Sequence, residues 1–178
     1  MHRTVFCTIA AVTVVAAAPA VALADPGIPD FASYPKVTAA DYTVRDGLAY
    51  SVRGFRTPSG LNCTSSQHRD MYALDCTGGL VGLPDGANWI RLRASGPVVS
   101  APTFSTAEDR PSVEGVPQFE ATPLPLLPAG QLYAFDAAQC VWTDTVALAC
   151  KFASREKPDA EYTGFVATTT GTTTFGNL

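Results

Sequence analysis

Sulfur offers the clearest chemistry in this sequence. Twelve residues separate Cys63 from Cys76, nine separate Cys140 from Cys150, and 63 lie between the two pairs. Zinc sites and dithiol redox sites use closer pairs of the C-x-x-C kind. The spacing therefore favours disulfides, and four cysteines allow three connectivities. A turn centred on Arg69-Asp70 would place Cys63 directly across a hairpin from Cys76. A turn around Thr145 would likewise oppose Cys140 and Cys150, with Trp142 facing Leu148. Opposed residues of a strand pair share a face, so sequential pairing ranks first and the crossed pairings stay open. Each bridge closes a short loop and should contribute about 2–3 kcal/mol. The endings YALDC and VALAC suggest a repeated clipped hairpin, with coincidence in an alanine-rich chain as the alternative.

Trp89, Arg91 and Arg93 form a second constellation, in WIRLR. An indole beside two guanidinium groups suits an anionic glycan, a lipid head group or an acidic protein surface. The plainer reading ranks higher: a charged edge strand with Trp89 tucked under a loop. His68 lies in SSQHRD beside Ser65, Ser66 and Asp70. Neighbours in one turn rarely supply the hydrogen-bond chain and oxyanion hole of a Ser-His-Asp site, so an exposed turn histidine is expected. The acids Asp75, Asp85, Glu108, Asp109, Glu114, Glu120, Asp136 and Asp144 are scattered. Two could act as a hydrolase pair if the fold joined them, but spacing selects none. Gly78 to Gly86 lacks the G-K-[ST] of a phosphate loop, and no dense acidic calcium loop occurs. No catalytic residue, metal ligand or cofactor is assigned.

The elements that would carry these residues read as strands. Leu48 to Arg56, Trp89 to Arg93, Leu132 to Phe135, Ala138 to Thr143 and Val146 to Phe152 have the composition or the period-two pattern of strands, and Gly54 marks a possible bulge. Thr57-Pro58-Ser59-Gly60 is a turn signal. No sustained 3.6-residue apolar period appears. The expected class is mainly β, a small sandwich or barrel-like antiparallel domain with two disulfide-clipped hairpins. Residues 96–128 hold seven of the 14 prolines, which predicts an irregular surface excursion with short edge pieces. The organisation expected is a signal peptide at 1–24, an N-terminal arm at 25–47, the β domain at 48–157, and a Thr/Gly-rich tail or edge strand at 158–178.

Residues 1–24 show a weakly positive start, an apolar run from Val5 to Ala18 and Ala22-Leu23-Ala24 before Asp25. That is the layout of a cleaved secretory signal; the run is short for a membrane span, and none is expected after cleavage. Removal would leave 154 residues, drop Cys7 and His2, and take the formal charge from −4 to −5. An acidic chain gives no basis for nucleic-acid binding. Nine arginines against three lysines, with 27 alanines, suit a GC-rich source.

Phe55-Arg56-Thr57-Pro58-Ser59-Gly60-Leu61-Asn62-Cys63, the following Cys76, then Leu127-Pro128-Ala129-Gly130 before Cys140 and Cys150, resemble a pattern in secreted actinobacterial, mycobacterial-type proteins of unknown function. The resemblance spans roughly residues 48–152. It implies export and a small disulfide-bearing domain, and no catalytic residues. The leading expectation is an exported, non-enzymatic binding or structural domain of the cell envelope or extracellular space. The alternatives are a small envelope hydrolase with a carboxylate pair, and an interaction module using residues 96–128.

Overall fold

The computed structural model describes residues 27–106 and 123–177. The strands pair into two antiparallel sheets, and the chain fills one before starting the other. The first holds β1 (Thr43–Asp46), β2 (Tyr50–Arg56), β3 (Asn62–His68), β4 (Met71–Thr77), β5 (Trp89–Ser95), β6 (Val98–Val99) and β7 (Thr103–Ser105). They lie in the order β1-β2-β3-β4-β5-β6, with β7 also pairing β5. The second holds β8 (Tyr133–Phe135), β9 (Ala138–Val141), β10 (Leu148–Ala153), β11 (Tyr162–Ala167) and β12 (Thr172–Asn177), in the order β12-β11-β10-β9-β8.

The inward positions follow from the period of two. Tyr72, Leu74 and Cys76 of β4 and Ile90, Leu92 and Ala94 of β5 are buried. They share one apolar cluster with Leu148, Phe152 and Phe165 of the second sheet. The domain is thus a sandwich, which resolves the barrel-like alternative. A smaller cluster of Phe31, Leu132, Val141, Ala149 and Val166 adds a second core. Phe31 comes from a 3₁₀ turn, Phe31–Ser33, that Asp30 caps through the Ala32 N–H at 3.1 Å. Among the described residues no helix is long and apolar enough to cross a membrane.

Several sequence expectations change. Gly54 is no bulge: β2 and β3 stay in register through Gly54 and Thr64. A side chain there would meet Leu124 Cδ2 at 2.9 Å and Thr64 Cγ2 at 3.0 Å, so close packing is what selects glycine. The register slip lies instead between Thr43 and Arg45 of β1. β5 is not an edge, since β4 flanks one side and β6 and β7 the other. The N-terminal arm is built into the fold: Tyr42 is buried and packs edge-on against Tyr133 at 5.7 Å, and residues 43–46 make β1. The C-terminal segment is not frayed. β12 is an edge strand, but β11 is an interior strand beside β10.

Of the proline-rich excursion, residues 107–122 lie outside the described residues, as do Glu108, Asp109, Glu114, Glu120 and the expected signal segment 1–24. β6 and β7 are the short pieces at its start. Its return leg is packed rather than superficial: Leu124 and Leu127 are buried, and Arg56 exchanges backbone hydrogen bonds with Pro125 and Leu127 at 2.9 and 3.0 Å.

Candidate functional site

The hairpin registers set both disulfides. The β3–β4 turn is Arg69-Asp70, with Arg69 at φ +56°, and it brings Cys63 opposite Cys76. β9 and β10 bring Cys140 opposite Cys150. Both bridges form, Cys63–Cys76 and Cys140–Cys150, with Cα atoms 4.1 and 4.2 Å apart. All four cysteines are fully buried. The two bridges meet across the sandwich, where the sulfurs of Cys63, Cys76 and Cys150 lie within 4.8 Å of one another. Bonded as disulfides, they offer no thiolate to a metal ion. Trp142 lies beyond β9, half-buried against the same core, and its Nε1–H donates to the Leu127 carbonyl at 2.5 Å.

Trp89, Arg91 and Arg93 do share the outer face of β5, but a residue of β4 has claimed two of them. Asp75 pairs with Arg91 in the β4–β5 register. Its Oδ1 accepts from Trp89 Nε1–H at 3.0 Å and from Arg91 Nε–H at 2.5 Å, while Oδ2 accepts from Arg91 Nη2–H at 3.0 Å. The guanidinium also lies 4.5 Å from the Trp89 ring centre. Asp75 and Trp89 are buried, and Arg93 alone is exposed. The bidentate pair neutralises Arg91 internally, so the trio is a structural ion pair with one outlying cation.

Parity separates His68 from Ser65 but leaves Ser66 on the same face of β3 as His68. Ser65 points inward and hydrogen-bonds the Tyr133 hydroxyl; burial pushes that phenol far above its ordinary range. His68 lies on the opposite face of β3, edge-on to Tyr50 at 6.2 Å. At the nearby rim, Arg53 covers the Phe135 ring at 4.7 Å, and Arg155 donates to the Tyr72 hydroxyl at 2.6 Å. Asp136, at φ +49° in the β8–β9 turn, has its carboxyl raised by partial burial, with Arg155 and Arg53 opposing the shift.

The outer face of the second sheet carries a groove of about 590 Å3, within the range of small-ligand sites. One wall is the N-terminal segment, with Pro29, Phe31 and Lys36; the floor includes Leu132, Gln139 and Lys151; Tyr162, Phe175 and Asp159 complete it. Alternation places these groups. Cys150 and Phe152 face the core, so Lys151 faces out, in register with Gln139 on one side and Gly164 on the other. An added side chain at Gly164 would collide with the Phe175 ring and the Cys150 carbonyl; its absence lets that ring lie across β11. Lys151 Nζ sits 4.6 Å from the Tyr162 ring centre and 4.0 Å from Asp159. Asp30 and Asp159 against Lys36 and Lys151 leave the lining with balanced charge.

No local sequence pattern marks this groove as a whole. Outward Lys151 was legible from the alternation in Cys-Lys-Phe, and outward Tyr162 from Tyr-Thr-Gly-Phe. The return of the arm to the second sheet was not. Comparison with known proteins finds no matching family model, no matching curated relative and no matching solved structure.

Proposed function

We propose that this chain is an exported, non-enzymatic binding domain whose groove on the second sheet holds a segment of an envelope or extracellular glycan. The groove is the observation that carries the reading. Aromatic rings present flat apolar area to a sugar face, and Gln139, Lys36, Lys151 and Asp159 offer donors and acceptors for hydroxyls. Equal numbers of lysines and carboxylates suit a ligand of low charge density better than a polyanion. Export draws support from the signal-like residues 1–24, from two buried disulfides of the kind oxidising compartments maintain, and from the motif resemblance of residues 48–152.

Calorimetric titration with fragments of envelope polysaccharide tests the reading. Binding weakened at least tenfold by Tyr162→Ala, with the circular dichroism spectrum unchanged, is the expected result. Equal affinity of wild type and variant overturns the groove assignment. Material recovered from culture medium should begin at Asp25 by intact mass; retention of residues 1–24 in the cell-associated protein overturns export.

A two-carboxylate hydrolase has one observation in its favour, since Asp30 and Asp159 line the same groove. Asp30 already caps its 3₁₀ turn. The Asp159 side chain is 99% exposed and turned to solvent. Product release from the same fragments, abolished in Asp159→Asn, would select this reading over simple binding.

A further inference from the structure

The two disulfides are not independent clips. Each lies within its own sheet, yet the Cys150 sulfur is within 4.8 Å of both Cys63 and Cys76 sulfurs in a fully buried cluster. Thiol–disulfide exchange needs one thiolate beside one disulfide sulfur, and the packing of the sheets supplies that neighbour. We propose that the core contains a thiol–disulfide relay: opening either clip lets the pairing shift to an inter-sheet bridge between Cys150 and a cysteine of the β3–β4 hairpin.

The electron count closes. An external dithiol reduces Cys63–Cys76 to two thiols and is itself oxidised to a disulfide. The Cys76 thiolate then attacks Cys150 Sγ. A Cys76–Cys150 bond forms, the Cys140–Cys150 bond breaks, and its electron pair leaves on Cys140, which takes up the proton. Two thiols exist before the exchange and two after it. Cys63 can replace Cys76 as the attacking group, since both flank Cys150. The outcome converts two intra-sheet clips into one bond tying the sheets together, so a reducing encounter would change which elements are cross-linked. The inter-sheet bond requires the sulfurs, within 4.8 Å of one another, to close to bonding distance by side-chain rotation and approach of the sheets.

Cys140→Ser isolates the step without any reductant. It leaves the Cys150 thiol facing Cys63–Cys76. Peptide mapping of the folded variant after acid quench and alkylation should find Cys150 joined to Cys63 or Cys76 in a tenth or more of the molecules. Only Cys63–Cys76 with Cys150 recovered as the alkylated free thiol would overturn the relay. Cys63→Ser is the reciprocal variant: Cys76 should capture Cys150 and release Cys140. If neither variant folds, wild-type protein treated with less than one equivalent of dithiothreitol decides. Bridges from Cys63 or Cys76 to Cys150 support the relay, whereas bridges from them spread equally over Cys140 and Cys150 indicate scrambling of unfolded chains and overturn it.

Discussion

The two outer faces of the sandwich carry the same three-part arrangement and put it to different ends. On the first sheet, Arg91 lies 4.5 Å from the Trp89 ring centre and Asp75 grips the guanidinium through both oxygens. On the second, Lys151 lies 4.6 Å from the Tyr162 ring centre and Asp159 stands 4.0 Å away. Cation, ring and carboxylate are common to both. Burial separates them: the Asp75 side chain is 9% exposed and that of Asp159 is 99% exposed. A planar fork on a short, buried carboxylate is fixed in geometry. A flexible ammonium beside a solvated one can exchange partners. The closed arrangement holds strands together, and the open one lines a groove.

Removing the buried anion should have the largest effect. Asp75→Ala leaves Arg91 charged and mostly buried, and takes the acceptor from the Trp89 N–H contact. A loss of about 3–5 kcal/mol is expected from breaking one side of a buried pair. Urea unfolding checks it, and a loss below about 1 kcal/mol would abolish the distinction between the two faces. Replacing both partners with apolar residues should cost less than the single change, because no charge is then stranded.

Tyr133→Phe comes next and asks whether a neutral buried pair behaves like the charged one. It strands the Ser65 hydroxyl inside the sandwich, for about 1–3 kcal/mol. Adding Ser65→Ala to it should recover part of that loss. No recovery in the double variant would mean that the ring hydroxyl is held by something other than Ser65.

These contrasts also mark how far the sequence could be read. Cysteine pairing was accessible because each bridge lies in a local hairpin, where turn position fixes register. The period of two in Trp89 to Arg93 correctly put Ile90 and Leu92 inside. It could not reveal that Asp75 faces Arg91, because the β4–β5 register is set across the long connection from Gly78 to Asn88 rather than by a tight turn. The groove was less accessible still: Phe31 and Tyr162 are 131 positions apart, and only tertiary packing brings them to one groove. Gly54 shows the same limit, since a bulge and a close approach both ask for glycine, and only the position of Leu124 distinguishes them.

Asp136 is an intermediate case, and its effect should be small and dependent on pH. Partial burial raises its carboxyl above the ordinary value, against the pull of Arg155 and Arg53. A raised acid favours the folded state below the unfolded-state pKa and loses that contribution as pH climbs through the folded-state value. At neutral pH the ionised carboxylate therefore costs stability. Asp136→Asn should stabilise at pH 7 by less than about 0.5 kcal/mol after solvent screening, and the gain should vanish below the ordinary aspartate range. Both residue types tolerate φ +49°, so the backbone does not confound the comparison. A gain that grows on acidification would reverse the assigned sign.

Asp159→Asn should move stability least of all. Its carboxylate is solvated and 4.0 Å from Lys151, so the unfolding midpoint should coincide with that of the wild type. The effect should appear in the groove instead. Without its anionic neighbour, Lys151 still rests on Tyr162, but the lining gains net positive charge. Calorimetry at low and high salt should then show a stronger preference for anionic over neutral glycan fragments, reduced as salt screens the added charge. The Asp75 counterpart predicts lost stability with no such gain in anion selectivity, because the freed Arg91 lies outside the groove. A midpoint shift in Asp159→Asn as large as that in Asp75→Ala would show that the two faces are alike after all.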